Sequence, residues 1–304
     1  MAQGTHDYQV DPRNENIYIS INGEHFRRED AKVSVFDSGY ILGDGVWEGI
    51  RLHNGSLFHI EQHLDRLYEG AMALDMDIGI SKNEMQNRIL DVCEANEMHS
   101  GVHIRLMVTR GIKATPYQDP RMTITPPTIV VIPEHKSPLE HTLTTGIKLF
   151  TVHVRRGYPD VQDPKLNSHS KINCITACIQ AAKAGADEAL MLDPHGFVAT
   201  CNSTHFFIVR KGEVWTSNGD YCLAGITRRS IIDLCIANNI PVFEKNFSLT
   251  EVYGAQEAFV TGTFAGVAPV TDVDGRTIGD GSRGAMVERL QNLYLALIEA
   301  ETAT

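Results

Sequence analysis

Leu223–Ile232, LAGITRRSII, sets a Gly-Ile-Thr turn at the entrance to an amphipathic helix. The first backbone N–H groups of a helix lack partners within it, and the helix dipole makes that end positive. With the Thr227 hydroxyl beside them they form a site suited to phosphate, so a dianionic cofactor is the natural guest. Alone the motif is weak, because most Gly-x-Thr helix starts are ordinary caps.

Outward from this helix, turn residues and apolar periods divide the chain into short elements. NIYISINGEHF turns at Asn22-Gly23 and IRLHNGSLFHI at Asn54-Gly55, both dipeptides of tight hairpins. A helix is expected from about Ile60 to Leu74, and Ser81 with Glu84 forms a capping-box pattern before the helical stretch MQNRILDVCEANEM. HIRLMVTRG and PTIVVIPE read as strands. Around Pro133–Pro138, IPEHKSP reads as a linker, because prolines and charges interrupt two strand-like runs. Beyond it, GIKLFTVHVRR reads as a strand, INCITACIQAAKAG as a helix stopped by Gly185, and DEALMLDPHGFVA and FFIVRKGEVWTS as hairpins. ITRRSIIDLCIANN and AMVERLQNLYLALIEAE are the remaining strong helices. Two α+β domains follow, a small one over 1–135 and a large one over 136–304, with the cofactor expected at their junction.

A chain of 304 residues, 42% hydrophobic and 21% charged, has room for two cores. Its formal net charge of -11 repels nucleic-acid phosphates and anionic membrane surfaces, and no apolar run is long enough to span a bilayer. MAQGTHDYQV lacks the charged start and apolar stretch of a signal peptide, so a cytoplasmic location is expected. The six cysteines are scattered and read as reduced structural thiols, although Cys174 and Cys178 share a helix face. Thirteen histidines without a His-x-x-x-His or His-Glu-x-x-His pattern suggest no metal.

Three further segments give the turn its meaning. GDGVWEGIRLHNG (Gly43–Gly55) leads into LFHIEQHLDRL ending at Leu67, DEALMLDPHGFVAT precedes the Gly-Ile-Thr turn, and EAFVTGTFAGVAPV spans Glu257–Val270. In order and approximate spacing they resemble the class IV pyridoxal-phosphate aminotransferases, which include branched-chain and D-amino-acid aminotransferases, R-selective amine transaminases and aminodeoxychorismate lyase. The resemblance runs from about Ile17 to the C-terminus. It implies a two-domain α+β fold of type IV, like that of D-amino-acid aminotransferase, acting as a homodimer on an amino acid and a 2-oxo acid.

By the same resemblance, Arg66, Ile226, Thr227 and Thr263 form the phosphate cup. Tyr40 and Trp47 line the substrate face, and Arg105 matches a position that meets a substrate carboxylate in some relatives. Arg110 and Lys113 are competing carboxylate partners. Thr200 stands where relatives carry the carboxylate facing the pyridine nitrogen, and His205 where they carry an asparagine; a core role suits His205.

The lysine segment departs from the family. An ungapped match over Val154–Ala189 places Asn167 where the Schiff-base lysine is expected, and an amide cannot condense with an aldehyde or shuttle a proton as an amine does. Lys165 precedes it by two residues and Lys171 follows by four, one helical turn along, where relatives often have an aromatic residue near the cofactor's phenolic oxygen. Lys171 is therefore favoured over Lys165 as the catalytic amine of a transaminase. A lyase or β-elimination enzyme, and a non-catalytic homologue or lysine-replaced variant that holds the cofactor, are the alternative readings.

Overall fold

Asn22 and Gly23 both take positive φ, 55° and 90°, in the computed structural model, which describes residues 4–7 and 9–303. Residues 1–3 and 8 of the stretch read for a signal sequence lie outside that description. The left-handed backbone folds β1 (Tyr18–Ile21) back onto β2 (Glu24–Arg27), as an Asn-Gly pair favours. After α1 (Ser38–Leu42), Asn54 and Gly55 repeat the device, φ 49° and 79°, between β3 (Gly45–His53) and β4 (Ser56–Leu57).

The next helices are α2 (Ile60–Ala73) and α3 (Lys82–Ala95), the latter started by the Ser81 hydroxyl accepting from the Glu84 amide at 3.2 Å. With β5 (Val102–Thr109) and β6 (Thr128–His135) the first half completes an antiparallel sheet in the order β2-β1-β6-β5-β3-β4. Leu64 and Leu67 of α2 and Met85, Ile89 and Val92 of α3 form one core with Val46, Ile50, Leu52, Ile104 and Leu106 of the sheet. Each such side chain, fully buried, contributes about 1.5–3 kcal/mol.

The expected linker begins later than its prolines suggest, because Pro133 lies inside β6, opposite Ile104 of β5. Its missing N–H costs no ladder bond to the other neighbour, since β1 pairs with β6 only at Val130 and Val131.

The second half contains α4 (Glu140–Thr144), β7 (Ile147–Thr151), α5 (Pro159–Gln162), α6 (Ile172–Lys183), β8 (Glu188–Leu192), β9 (Val198–Cys201), β10 (His205–Arg210) and β11 (Glu213–Thr216). It continues with α7 (Ile226–Ala237), β12 (Val242–Glu244), α8 (Leu249–Tyr253), β13 (Glu257–Gly262), β14 (Gly266–Val273), β15 (Arg276–Thr277) and α9 (Ala285–Thr302). Its mixed sheet runs β12-β11-β10-β13-β14-β7-β8-β9, with β15 on β14. Phe206, Ile208, Val260, Leu149 and Leu190 lie in its core, and Ala177 and Ala181 of α6 pack with Ala189 and Met191 of β8. The strand expected over GIKLFTVHVRR stops at Thr151. There the Asp274 carboxylate accepts from the Thr151 amide at 2.5 Å and from its hydroxyl at 2.7 Å.

Two compact units result. One is Val10–Ser137 with Leu166–Lys171 and Glu301–Thr304; the other is Met1–Gln9, Pro138–Lys165 and Ile172–Ala300. The division differs from a single cut after residue 135 because short segments pair far from their sequence neighbours. Trp47 donates its amide to the Asn167 carbonyl at 3.1 Å and His169 its amide to Gly45 at 2.9 Å, so Leu166–Lys171 covers the open edge of β3. Among the described residues, no helix is long and apolar enough to cross a membrane.

Candidate functional site

Strand β3 sends alternate side chains to opposite faces. Val46, Ile50 and Leu52 enter the core with α2, and Glu48 shares their parity, so a carboxylate is carried into an apolar layer. Its side chain is 0% exposed. It is tolerated because three side chains donate to it: Arg66 through Nε at 2.8 Å and Nη2 at 2.6 Å, His63 through Nδ1 at 2.7 Å, and Asn167 through Nδ2 at 3.4 Å. His63 and Arg66, three apart on α2, present both donors from one helix face.

Burial by itself would raise the Glu48 carboxyl, but the Arg66 guanidinium and the His63 bond hold it below its ordinary value. Burial lowers His63 despite the neighbouring carboxylate, so the imidazole is neutral and donates from Nδ1.

Neither Glu48 nor His63 stands out in the sequence. Only the His-x-x-Arg spacing on a helix hints at a shared acceptor. Arg66, expected at a phosphate, is here the bidentate partner of Glu48 and 13% exposed. That pairing uses two of the five N–H groups of a guanidinium.

Asn167 is buried, and its Nδ2 also donates to the Trp47 carbonyl at 2.6 Å. Lys171 donates from Nζ to Asn167 Oδ1 at 3.0 Å, so the lysine four residues on brings its amine to this amide. The same Nζ lies 5.3 Å from the Trp47 ring centroid. Lys165 is exposed, its amide turned onto Asp163 Oδ1.

On the opposite face of β3, Trp47 carries the Arg105 guanidinium 3.8 Å over its ring. Arg105 faces Gly49 across the strands, and the absence of a side chain there lets the His103 ring lie close, 3.2 Å from where a Cβ would stand. Among the described residues the Arg105 guanidinium makes no hydrogen bond, and burial lowers its pKa from the ordinary value against the pull of Glu134 and Glu48.

Two of the expected substrate contacts are engaged elsewhere, and a third is exposed. Tyr40 is 73% exposed on α1. Arg110 is committed to Asp44 at 2.7 Å and to the carbonyls of Leu74 and Asp75 at the end of α2. Lys113, 1% exposed, donates to the Asp119 carbonyl at 3.1 Å. The two cations brace their own loops instead of waiting for an anion.

In the other unit, α7 starts at Ile226 after Gly225, with no side chain capping its first turn. A Cβ at Gly225 would lie 2.3 Å from His205 Nε2, so glycine is required for this helix start to approach the histidine. Thr227 is 4% exposed, His205 is 8% exposed, and Thr263 is half-buried just beyond β13. This end of α7 thus has no side-chain cap, a buried threonine in its first turn and an imidazole against it.

Thr200 gives its hydroxyl proton to the Thr204 carbonyl at 2.8 Å, leaving lone pairs as what it can offer another group. The nearby Glu188 is fully buried and accepts from the Thr204 hydroxyl at 2.7 Å and from Thr5. Burial pushes Glu188 above the ordinary carboxylate value against those bonds.

The amino-transferase class IV family model matches residues 45–273. Branched-chain-amino-acid aminotransferase-like protein 1 of Arabidopsis thaliana is 40% identical over 95% of this chain and 52% of its own length. The chain thus spans about half the length of that relative. A putative branched-chain-amino-acid aminotransferase of Methanocaldococcus jannaschii is 40% identical over 91% of this chain and 94% of its own. Among solved structures, the T.th. branched-chain amino acid aminotransferase with pyridoxamine 5'-phosphate superposes with a TM-score of 0.87. Its identity is 31%, covering 97% of this chain and 96% of that one.

Proposed function

Because the chain belongs to the class IV aminotransferase family and has its fold type IV, we propose that it is a pyridoxal-phosphate aminotransferase with Lys171 as its reactive amine. The substrates are an α-amino acid, branched-chain by likeness to its relatives, and a 2-oxo acid. The observation that supports this reading is the 3.0 Å bond from Lys171 Nζ to Asn167 Oδ1, which brings an amine beside the amide.

The residues suit the cofactor. Ile226 and Thr227 would supply a helix start without a side-chain cap for its phosphate, with Thr263 as a further donor. Bound pyridoxal phosphate supplies an electrophilic aldehyde and an electron-withdrawing ring. Lys171 would be the amine that holds this aldehyde, the carbonyl oxygen leaving as water, and the base that moves a proton at the substrate carbon. Thr200 would stand in for the acidic partner of the ring nitrogen and, with its proton engaged by the Thr204 carbonyl, would offer that nitrogen an acceptor. Arg105, stacked on Trp47 and without a hydrogen-bond partner among the described residues, holds the substrate carboxylate. A homodimer is part of the same proposal.

Borohydride reduction of the protein with pyridoxal phosphate, followed by peptide mass mapping, tests the assignment. Label on Lys171 is expected. Label on Lys165 would keep the chemistry and move the amine, and cofactor binding without label would favour a non-catalytic protein. For Arg105→Ala, loss of a charged hydrogen bond worth about 1.5–3 kcal/mol raises KM for the amino acid about 10- to 150-fold. kcat stays within a few-fold, and steady-state kinetics with both substrates varied read the split. A KM at the wild-type level would take the carboxylate away from Arg105.

A further inference from the structure

The amide of Asn167 is used at both ends. Its nitrogen faces two acceptors, the Trp47 carbonyl at 2.6 Å and Glu48 Oε1 at 3.4 Å, and its oxygen faces the Lys171 amine at 3.0 Å. A carbonyl and a carboxylate held ionised by Arg66 have no proton to give, so the amide has one orientation, oxygen toward the lysine. The backbone of Asn167 is itself fixed by the Trp47 amide at 3.1 Å, and the residue is 6% exposed. A lysine side chain has many rotamers, and ordering its amine has an entropic cost that a rigid neighbour reduces.

We propose that Asn167 is a positioning residue: its amide, locked by the Trp47 carbonyl and the Glu48 carboxylate, orients the Lys171 amine for attack on a carbonyl carbon. The inference rests on the reading of Lys171 as the reactive amine. A neutral acceptor suits this task because it takes a hydrogen bond from ammonium and free amine alike, and so orients the nitrogen without holding its proton. Charged and titratable groups around this site among the described residues include Arg105, across the Trp47 ring, His169 with Asp37 acting on it, and Glu48 with its partners His63 and Arg66. Glu48 is neutralised by Arg66, so the amide relays geometry to the lysine and little net charge.

The test is labelling of the full chain with pyridoxal phosphate and borohydride, mapped to single lysines and followed against pH for wild type, Asn167→Asp and Asn167→Ala. In the aspartate variant a carboxylate beside the amine stabilises ammonium, and the midpoint of Lys171 labelling rises by about 1 pH unit or more. In the alanine variant the midpoint stays and labelling slows about 3- to 10-fold, the loss of one hydrogen bond. Wild-type midpoint and rate at Lys171 in both variants would overturn the positioning role while leaving the lysine assignment standing. No Lys171 label in wild type would remove the assignment itself, and the proposal with it. Circular dichroism checks folding; if the aspartate variant does not fold, the alanine rate decides.

Discussion

Lys171→Ala lowers kcat/KM for amino-group transfer by about 10²–10⁴-fold or more, whereas Lys165→Ala leaves it within a few-fold. The contrast follows from where the two amines stand. Lys171 is half-buried, 3.0 Å from Asn167 Oδ1, while Lys165 is exposed. The loss is chemical, because removing one hydrogen bond to a neutral amide costs about 0.5–1.5 kcal/mol of stability. Single-turnover transfer from amino acid to cofactor, together with a urea melt, separates the two effects. Equal losses in both variants, or none in either, would sink the assignment.

Glu48→Gln destabilises the protein by about 3–5 kcal/mol near pH 7 while preserving the shape of the residue. The cost comes from leaving the Arg66 guanidinium, 13% exposed, without its counter-charge. The sign of the pH dependence follows from the same cluster. Glu48 has a folded pKa below its ordinary value of 4.5, so its contribution is present above that value and lost as pH falls through the folded one. His63 is also lowered, from 6.5, so its share is lost earlier on the acid side, as pH falls below the ordinary histidine value. The share of stability held by Glu48 and His63 therefore falls from about pH 6.5 downward in two stages, and Glu48→Gln loses the lower stage. Urea unfolding of both proteins across this range measures it; parallel acid limbs would show that Glu48 is not the group responsible.

Much of the fold is local and legible in the sequence. The Asn-Gly turns at 22–23 and 54–55 need left-handed backbone, and both have it. Helices over Ile60–Ala73, Lys82–Ala95, Ile172–Lys183, Ile226–Ala237 and Ala285–Thr302 follow apolar periods, and the sequence displays a cap for the second at Ser81 and a stop for the third at Gly185. Strand ends are less legible, because a side chain far along the chain sets them. Asp274 ends β7 at Thr151, and the short reach of β1 lets Pro133 sit inside β6.

The site divides in the same way. Residue type and spacing mark the helix start at Gly225–Thr227, and the family resemblance draws attention to Asn167 between Lys165 and Lys171. Sequence alone could not place Glu48 against Arg66, 18 residues away, or against Asn167, 119 residues away. Nor could it show that Arg110 and Lys113 are already engaged while Arg105 lacks a hydrogen-bond partner among the described residues. Local pattern determines which backbone each segment adopts; which charges meet depends on the pairing of β3 with Leu166–Lys171 and on the face α2 turns to the sheet. Those are long-range outcomes of burying one core, and only the tertiary structure decides them.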